Sequence, residues 1–188
     1  MSNQKISIYI SMLLRHRPEE AQLTMDEHGW VSVESLIHGI NTYSKYKIDQ
    51  TLLEEIVFSD NKGRFRFNEE HTRIKACQGH SIDWVIPKLS YLAPPEILYH
   101  GTTRKAWEKI QNCGYISKMK RHAVHMSASL EMASRSAKRW KNQEPVVLSI
   151  DAQKMQEEGY RIGVSENAVW CIEKVDTKYI LEVIPCEK

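Results

Sequence analysis

The octapeptide KRHAVHMS, residues 120–127, sets His122 and His125 three apart in a basic stretch, and three chemistries suit it: a metal pair, two surface side chains, or part of an anion site. Read as a strand, it turns Arg121, His125 and Ser127 to one face and His122, Val124 and Met126 to the other. Two histidines on opposite faces cannot chelate one ion, and no further His/Cys/Asp cluster follows at ligand spacing, so no metal is expected. LYHGT, residues 98–102, places His100 at a strand end, Gly101 where backbone can approach a ligand, and Thr102 at a helix N-terminus whose N–H groups suit a phosphate. LLRHRP sets Arg15 and His16 side by side at a helix C-terminus, where the helix dipole also favours cations. KGRFRF turns Arg64 and Arg66 outward from one face of a short strand. Guanidinium groups hold phosphate through paired, charge-assisted hydrogen bonds, and several together suit a doubly charged phosphomonoester. QGHS, residues 78–81, reads as a turn with a polar tip.

The elements that must carry these side chains fall into two halves. Ile6, Ile10, Leu13 and Leu14 repeat at helical spacing, and Pro18 ends that helix near Arg17. VSVESLIHGI predicts a second helix with Ser32 as N-cap and Gly39 near its C-terminus, and IDQTLLEEIVF a third with Asp49 as N-cap. A turn at Asn61 to Gly63 then leads into an alternating strand and a second strand around Ile74. Three helices followed by a hairpin is the order of a winged helix. Beyond the paired prolines of YLAPPEI, ILYHG, AVHMS, PVVLSID, AVWCIEKV and KYILEVIP read as strands. TTRKAWEKIQNCG, capped by Thr102 or Thr103, and SASLEMASRSAKRW read as helices. The class is α+β, with a first lobe over 1–92 and a second over 93–188.

Composition narrows the classes. The 188 residues are 41% apolar with a net charge of +2, enough for a real core and only mildly basic. The charge is uneven: residues 118–141 carry seven Lys and Arg against Glu131 alone, which makes a local anion-attracting segment or a solvated helix face. Cys77, Cys113, Cys171 and Cys186 show no CxxC spacing, which suits a reduced, cytoplasmic protein. The apolar stretch from Ile6 to Leu14 is broken by serines and is too short to span a bilayer, so neither secretion nor membrane insertion is expected.

Nine motifs, taken in order, resemble one family, the NAD-dependent RNA 2'-phosphotransferases that remove the 2'-phosphate left at tRNA splice junctions. They are LLRHRP, DEHGWVSVESLI, KGRFRF, RIKACQGHS, PPEILYHGT, RHAVHMS, PVVLSIDAQKM, ENAVWC and the closing strand, and they span nearly the whole chain. The resemblance implies a winged-helix RNA lobe followed by a lobe of the ADP-ribosyltransferase fold. It implies a catalytic set of Arg15, His16, Arg64 and Arg121. It draws the NAD site from His100, Gly101, Thr102, His125, Ser127 and Val169, and RNA contacts from Lys75, Gln78 and His80. Met126, Ala168 and Lys75 depart from the family's commonest leucine, glycine and arginine; lysine keeps the charge of arginine but not its bidentate fork.

The activity so implied consumes NAD as co-substrate: the RNA 2'-phosphate is transferred to it, giving 2'-OH RNA, nicotinamide and ADP-ribose 1'',2''-cyclic phosphate. The expected partner is RNA carrying a 2'-phosphate, tRNA above all, and the expected state is a cytoplasmic monomer. Two alternatives stand beside it: ADP-ribosylation of terminal nucleic-acid phosphates, and a non-enzymatic winged-helix binding protein. The predicted third helix weighs against the second, because DQTLLEEIVF offers Glu54 and Glu55 and no Lys or Arg to a nucleic-acid groove.

Overall fold

The computed structural model describes residues 3–86 and 88–186, and the chain divides into two compact units between Lys88 and Leu89. In the first unit, α1 (Asn3–Arg15) buries Ile6, Ile10, Leu13 and Leu14 on one face and stops before Pro18, as their spacing predicts. A two-residue strand, β1 (Val31–Ser32), leads into α2 (Val33–Tyr43), and α3 (Gln50–Phe58) follows. Both predicted N-caps form: Ser32 accepts from the Ser35 amide, and Asp49 accepts from the Leu52 amide at 2.8 Å. β2 (Phe65–Phe67) and β3 (Arg73–Ala76) make the hairpin, and β1 joins it to give an antiparallel sheet in the order β1-β3-β2. Leu36, Ile40, Leu53 and Ile74 complete the core against α1.

Gly39 does not end α2, which continues one turn further to Tyr43. A Cβ on Gly39 would lie 2.3 Å from the carbonyl oxygen of Ala21, so the glycine serves a close approach between α2 and the turn at Pro18–Ala21. Two effects therefore oppose each other in Gly39→Ala: a helix-propensity gain of about 1 kcal/mol and a backbone collision that side-chain rotation cannot relieve. The collision is expected to win, with a net loss of about 1–3 kcal/mol in chemical denaturation; a stabilised variant would remove this account of the glycine.

The second unit is built from β4 (Leu89–Ser90), β5 (Ile97–Thr103), α4 (Arg104–Cys113), β6 (Tyr115–Ser117), β7 (Val124–Met126), α5 (Leu130–Ala137) and β8 (Pro145–Asp151). α6 (Ala152–Glu157), β9 (Gly163–Ser165), β10 (Trp170–Ile172), β11 (Lys174–Asp176) and β12 (Ile180–Pro185) complete it. Its sheets run β12-β8-β5, β4-β9-β10-β7 and β11-β6. Every strand pairing among the described residues is antiparallel, and the helices lie outside the ladders, so the class is α+β. AVWCIEKV is two strands and not one: β10 pairs with β7 and β9, while β11 pairs with β6. The β-branched run of β8 is buried from Pro145 to Ile150 and sits between β5 and β12.

Candidate active site

The two units each hold part of the expected residue set. In the second unit, β5 and β7 meet at an antiparallel bridge between Tyr99 and Ser127, whose backbones exchange hydrogen bonds of 2.8 and 2.9 Å. β10 pairs with β7 so that Cys171 faces His125 and Trp170 faces Met126. His100, His125 and Ser127 are thus collected where β5 and β7 come together, and Val169 immediately precedes β10.

Within this group the hydrogen bonds fix the histidine tautomers. His100 Nδ1 lies 2.9 Å from the backbone carbonyl of His125. A carbonyl only accepts, so Nδ1 carries the hydrogen and Nε2 of a neutral His100 presents a lone pair. Arg121 Nη1 lies 3.1 Å from His125 Nδ1. A guanidinium only donates, so His125 Nδ1 accepts and its Nε2 carries the hydrogen. One imidazole therefore offers an acceptor and the other a donor, a pairing suited to ribose hydroxyls. An NAD ribose, the group expected here, would need such a donor and acceptor.

The route by which Arg121 reaches His125 differs from the strand alternation. β7 covers only Val124–Met126, with Val124 and Met126 buried and His125 half-buried, whereas residues 121–123 form a bend. Arg121 folds back over that bend, its amide bonded to the Lys118 carbonyl at 3.1 Å. His122, half-buried in the same bend, has no strand face to be assigned to.

Gly101 and Thr102 need correction as well. Both are inside β5, and the N-cap of α4 is Thr103, whose hydroxyl accepts from the Ala106 amide. Thr102 is buried and not at a helix N-terminus. Gly101 faces α5: a Cβ there would stand 2.0 Å from the carbonyl oxygen of Ala133. Ser127 is also committed locally, since its hydroxyl accepts from the Ser129 amide at 3.0 Å at the start of α5. Val169 closes a tight loop in which the Ser165 hydroxyl bonds its amide and its carbonyl, each at 3.1 Å. Ala168 in that loop has φ +59°, in the left-handed region that glycine enters at no steric cost.

In the first unit, His16 is exposed beyond the end of α1, with Nδ1 2.9 Å from the Ser81 hydroxyl. The Arg15 carbonyl accepts from the Ser81 amide, and the QGHS turn packs on the Arg15 side chain, 3.7 Å from where a Gly79 Cβ would be. Arg64 is not aimed outward. It is half-buried, and Asp60, whose side chain is only 5% exposed, accepts from its amide at 2.6 Å and from Nη1 at 2.8 Å. Ser7 lies 3.5 Å from the same nitrogen. Arg66 is exposed as expected. Ser81 and Asp60 were not anticipated as partners; for Asp60 the signal was the carboxylate four residues before Arg64 in DNKGR.

Of the three residues expected at RNA, Lys75 and His80 are buried and Gln78 is half-buried. The Lys75 ammonium sits 4.8 Å over the Trp30 ring, a cation–π contact. His80 fills space left by Gly29, where a Cβ would come within 3.0 Å of Nε2. Burial places both in the interior of the first unit and not on its surface.

Burial lowers the His100 imidazole below its ordinary value of 6.5; the hydrogen bond to the His125 carbonyl opposes this, and the charge of Arg121 lowers it further. The unfolded chain therefore takes up this proton first as pH falls. The stabilisation is full above about pH 6.5 and is lost as pH falls toward the lower folded value. Replacing His100 with glutamine is expected to flatten the melting temperature against pH below about 6.5. An unchanged slope would assign that dependence to other groups.

The family model described as RNA 2'-phosphotransferase, Tpt1 / KptA family matches residues 1–174. A protein named probable RNA 2'-phosphotransferase from Fusobacterium nucleatum is 43% identical over 176 residues, covering 94% of this chain and 96% of its own. Proteins of the same name from Rhizobium johnstonii and Flavobacterium johnsoniae are 41% and 40% identical, each covering 94% of this chain and 92% and 94% of their own. A solution NMR structure of a Caulobacter crescentus protein aligns with 48% of this chain and 84% of its own at 16% identity and a TM-score of 0.35, too slight a likeness to bear on the fold. With the family model and full-length relatives in agreement, the chain belongs to the RNA 2'-phosphotransferase, Tpt1 / KptA family.

Proposed function

We propose that the protein removes a 2'-phosphate from RNA by transferring it to NAD, with nicotinamide and ADP-ribose 1'',2''-cyclic phosphate as the other products. The observation that carries this reading is the 3.1 Å contact of Arg121 with His125, which puts a phosphate-binding guanidinium beside the donor and acceptor imidazoles suited to a ribose. NAD, when bound, supplies the ribose carbon that receives the phosphate and the nicotinamide that leaves. His100 Nε2 would accept from one of its hydroxyls and His125 Nε2 would donate to another, with Ser127 and Val169 the further residues that would hold the group.

Arg121 holds the RNA phosphate through its fork and keeps His125 in the donor tautomer. The family resemblance adds Arg15, His16 and Arg64 to the catalytic set; within the first unit Asp60 fixes the orientation of Arg64 and Ser81 that of His16. Fixed guanidinium donors stabilise the charge that gathers on phosphorus without reorganising during the reaction. Gln78 and His80 belong to the turn that packs on Arg15, and Lys75 lies in β3 just before it. Val169 stands where a protein-modifying relative of the fold would need a carboxylate, which supports a phosphate as acceptor. The first unit is read as a winged helix, the second as an ADP-ribosyltransferase-like lobe, and the substrate as tRNA in the cytoplasm, acted on by a monomer. No helix among the described residues is long and apolar enough to cross a membrane.

A defined oligonucleotide with one internal 2'-phosphate tests the proposal. Its phosphate should be lost only when protein and NAD are both present. Loss without NAD, or persistence with it, would overturn the reading.

A further inference from the structure

We infer that the outer side of α5 and the turn after it form a docking surface for the single-stranded RNA that flanks the reacting phosphate; this rests on the reading of the protein as acting on RNA. The first clue is where the charge lies. The first unit, residues 1–88, holds eleven Lys and Arg against twelve Asp and Glu, whereas residues 89–188 hold fifteen against twelve. The third helix of the first unit, the place of a recognition helix in a winged helix, presents Glu54 and Glu55 and no base. A polyanion is therefore drawn to the second unit.

Within that unit the surplus is local. Ala133 and Ala137 are the buried face of α5, and Gly101 admits the helix backbone to β5. Arg135, Lys138, Arg139 and Lys141 are all exposed, and Arg135 pairs with Glu131 at 2.5 Å. The helix dipole accounts for a cation at the end of α5. It does not account for Trp140, whose ring folding leaves 60% exposed among them. Cations around an exposed indole are the features with which single-stranded nucleic acid is held: phosphates on the charges, a base stacked on the ring. α5 starts three residues after Ser127, and its eight residues span about 12 Å, so the surface continues from the candidate site to nucleotides a short way along the strand.

The test uses the full chain and two substituted proteins, one carrying K138Q, R139Q and K141Q, the other W140A. Binding of a fluorescent twelve-nucleotide RNA without any 2'-phosphate is followed by anisotropy across a salt series. The triple variant is expected to bind at least ten-fold more weakly, with a log–log salt dependence shallower by about 2. W140A is expected to bind about ten-fold more weakly. Both should keep the parent melting temperature and the parent kcat on a 2'-phosphorylated trinucleotide, while KM rises on the long RNA. Unchanged affinity and salt slope in both variants would overturn the surface, whatever the catalytic result. A parent protein that binds RNA through these residues but leaves the 2'-phosphate in place would overturn the proposed activity alone.

Discussion

Arg121→Ala is expected to slow 2'-phosphate removal by about 10²–10³-fold, the loss typical of one fixed donor to a developing oxyanion, while leaving the fold intact. Arg121 is exposed on a bend, and its amide bond to Lys118 does not depend on its side chain. Two functions disappear together: a guanidinium for the phosphate, and the N–H that makes His125 Nδ1 an acceptor. Arg121→Lys should recover little, because a lysine offers a point charge without the planar fork. The measurement is a single-turnover rate with NAD in excess, beside a melting curve. A near-normal rate in the alanine protein would remove Arg121 from the phosphate site.

Gly101→Ala is expected to be the most damaging single methyl group in the second unit. The added Cβ would stand 2.0 Å from the Ala133 oxygen and 3.0 Å from the Ala137 amide nitrogen, both backbone atoms of α5 that no rotamer change can move. The helix must lift from β5, at an expected loss of about 3 kcal/mol, or a melting temperature lower by about 12–24 °C for a unit of this size. Gly114 provides the control. It too is a glycine, at φ +83°, but nothing lies within 4 Å of a Cβ there. Gly114→Ala should therefore cost only the left-handed strain of about 1–2 kcal/mol. Equal losses at the two positions would contradict the β5–α5 packing described.

Local signals in the sequence were reliable where they concern backbone donors. Ser32 and Asp49 cap helices because a short side-chain oxygen satisfies amides that no helix can, and this reads directly from residue order. Glycine was less legible. Gly39 and Gly101 resemble a helix stop and a ligand approach, yet each is required by a carbonyl far away in sequence, Ala21 and Ala133. Alternation failed at Arg121 for a related reason, since a three-residue strand cannot impose parity on the bend before it. Arg121 still reaches His125, through a fold-back and not a shared strand face.

The charged residues show the same limit. Arg64 has the alternation of an outward wing residue, and the carboxylate four residues earlier turns it inward. Lys75 is a surface residue by type, and a Trp30 ring with a closed turn makes it an interior one. Long-range packing decides such side chains, and residue spacing alone does not report it.

The central claim is that this protein transfers an RNA 2'-phosphate to NAD. It is tested most directly by quantifying nicotinamide, ADP-ribose 1'',2''-cyclic phosphate and 2'-OH RNA in one reaction containing NAD and a defined 2'-phosphorylated oligonucleotide. The account predicts all three in equal amounts, each absent when the RNA lacks its 2'-phosphate. Release of inorganic phosphate in place of the cyclic product, or nicotinamide formed at the same rate without the 2'-phosphate, would contradict it.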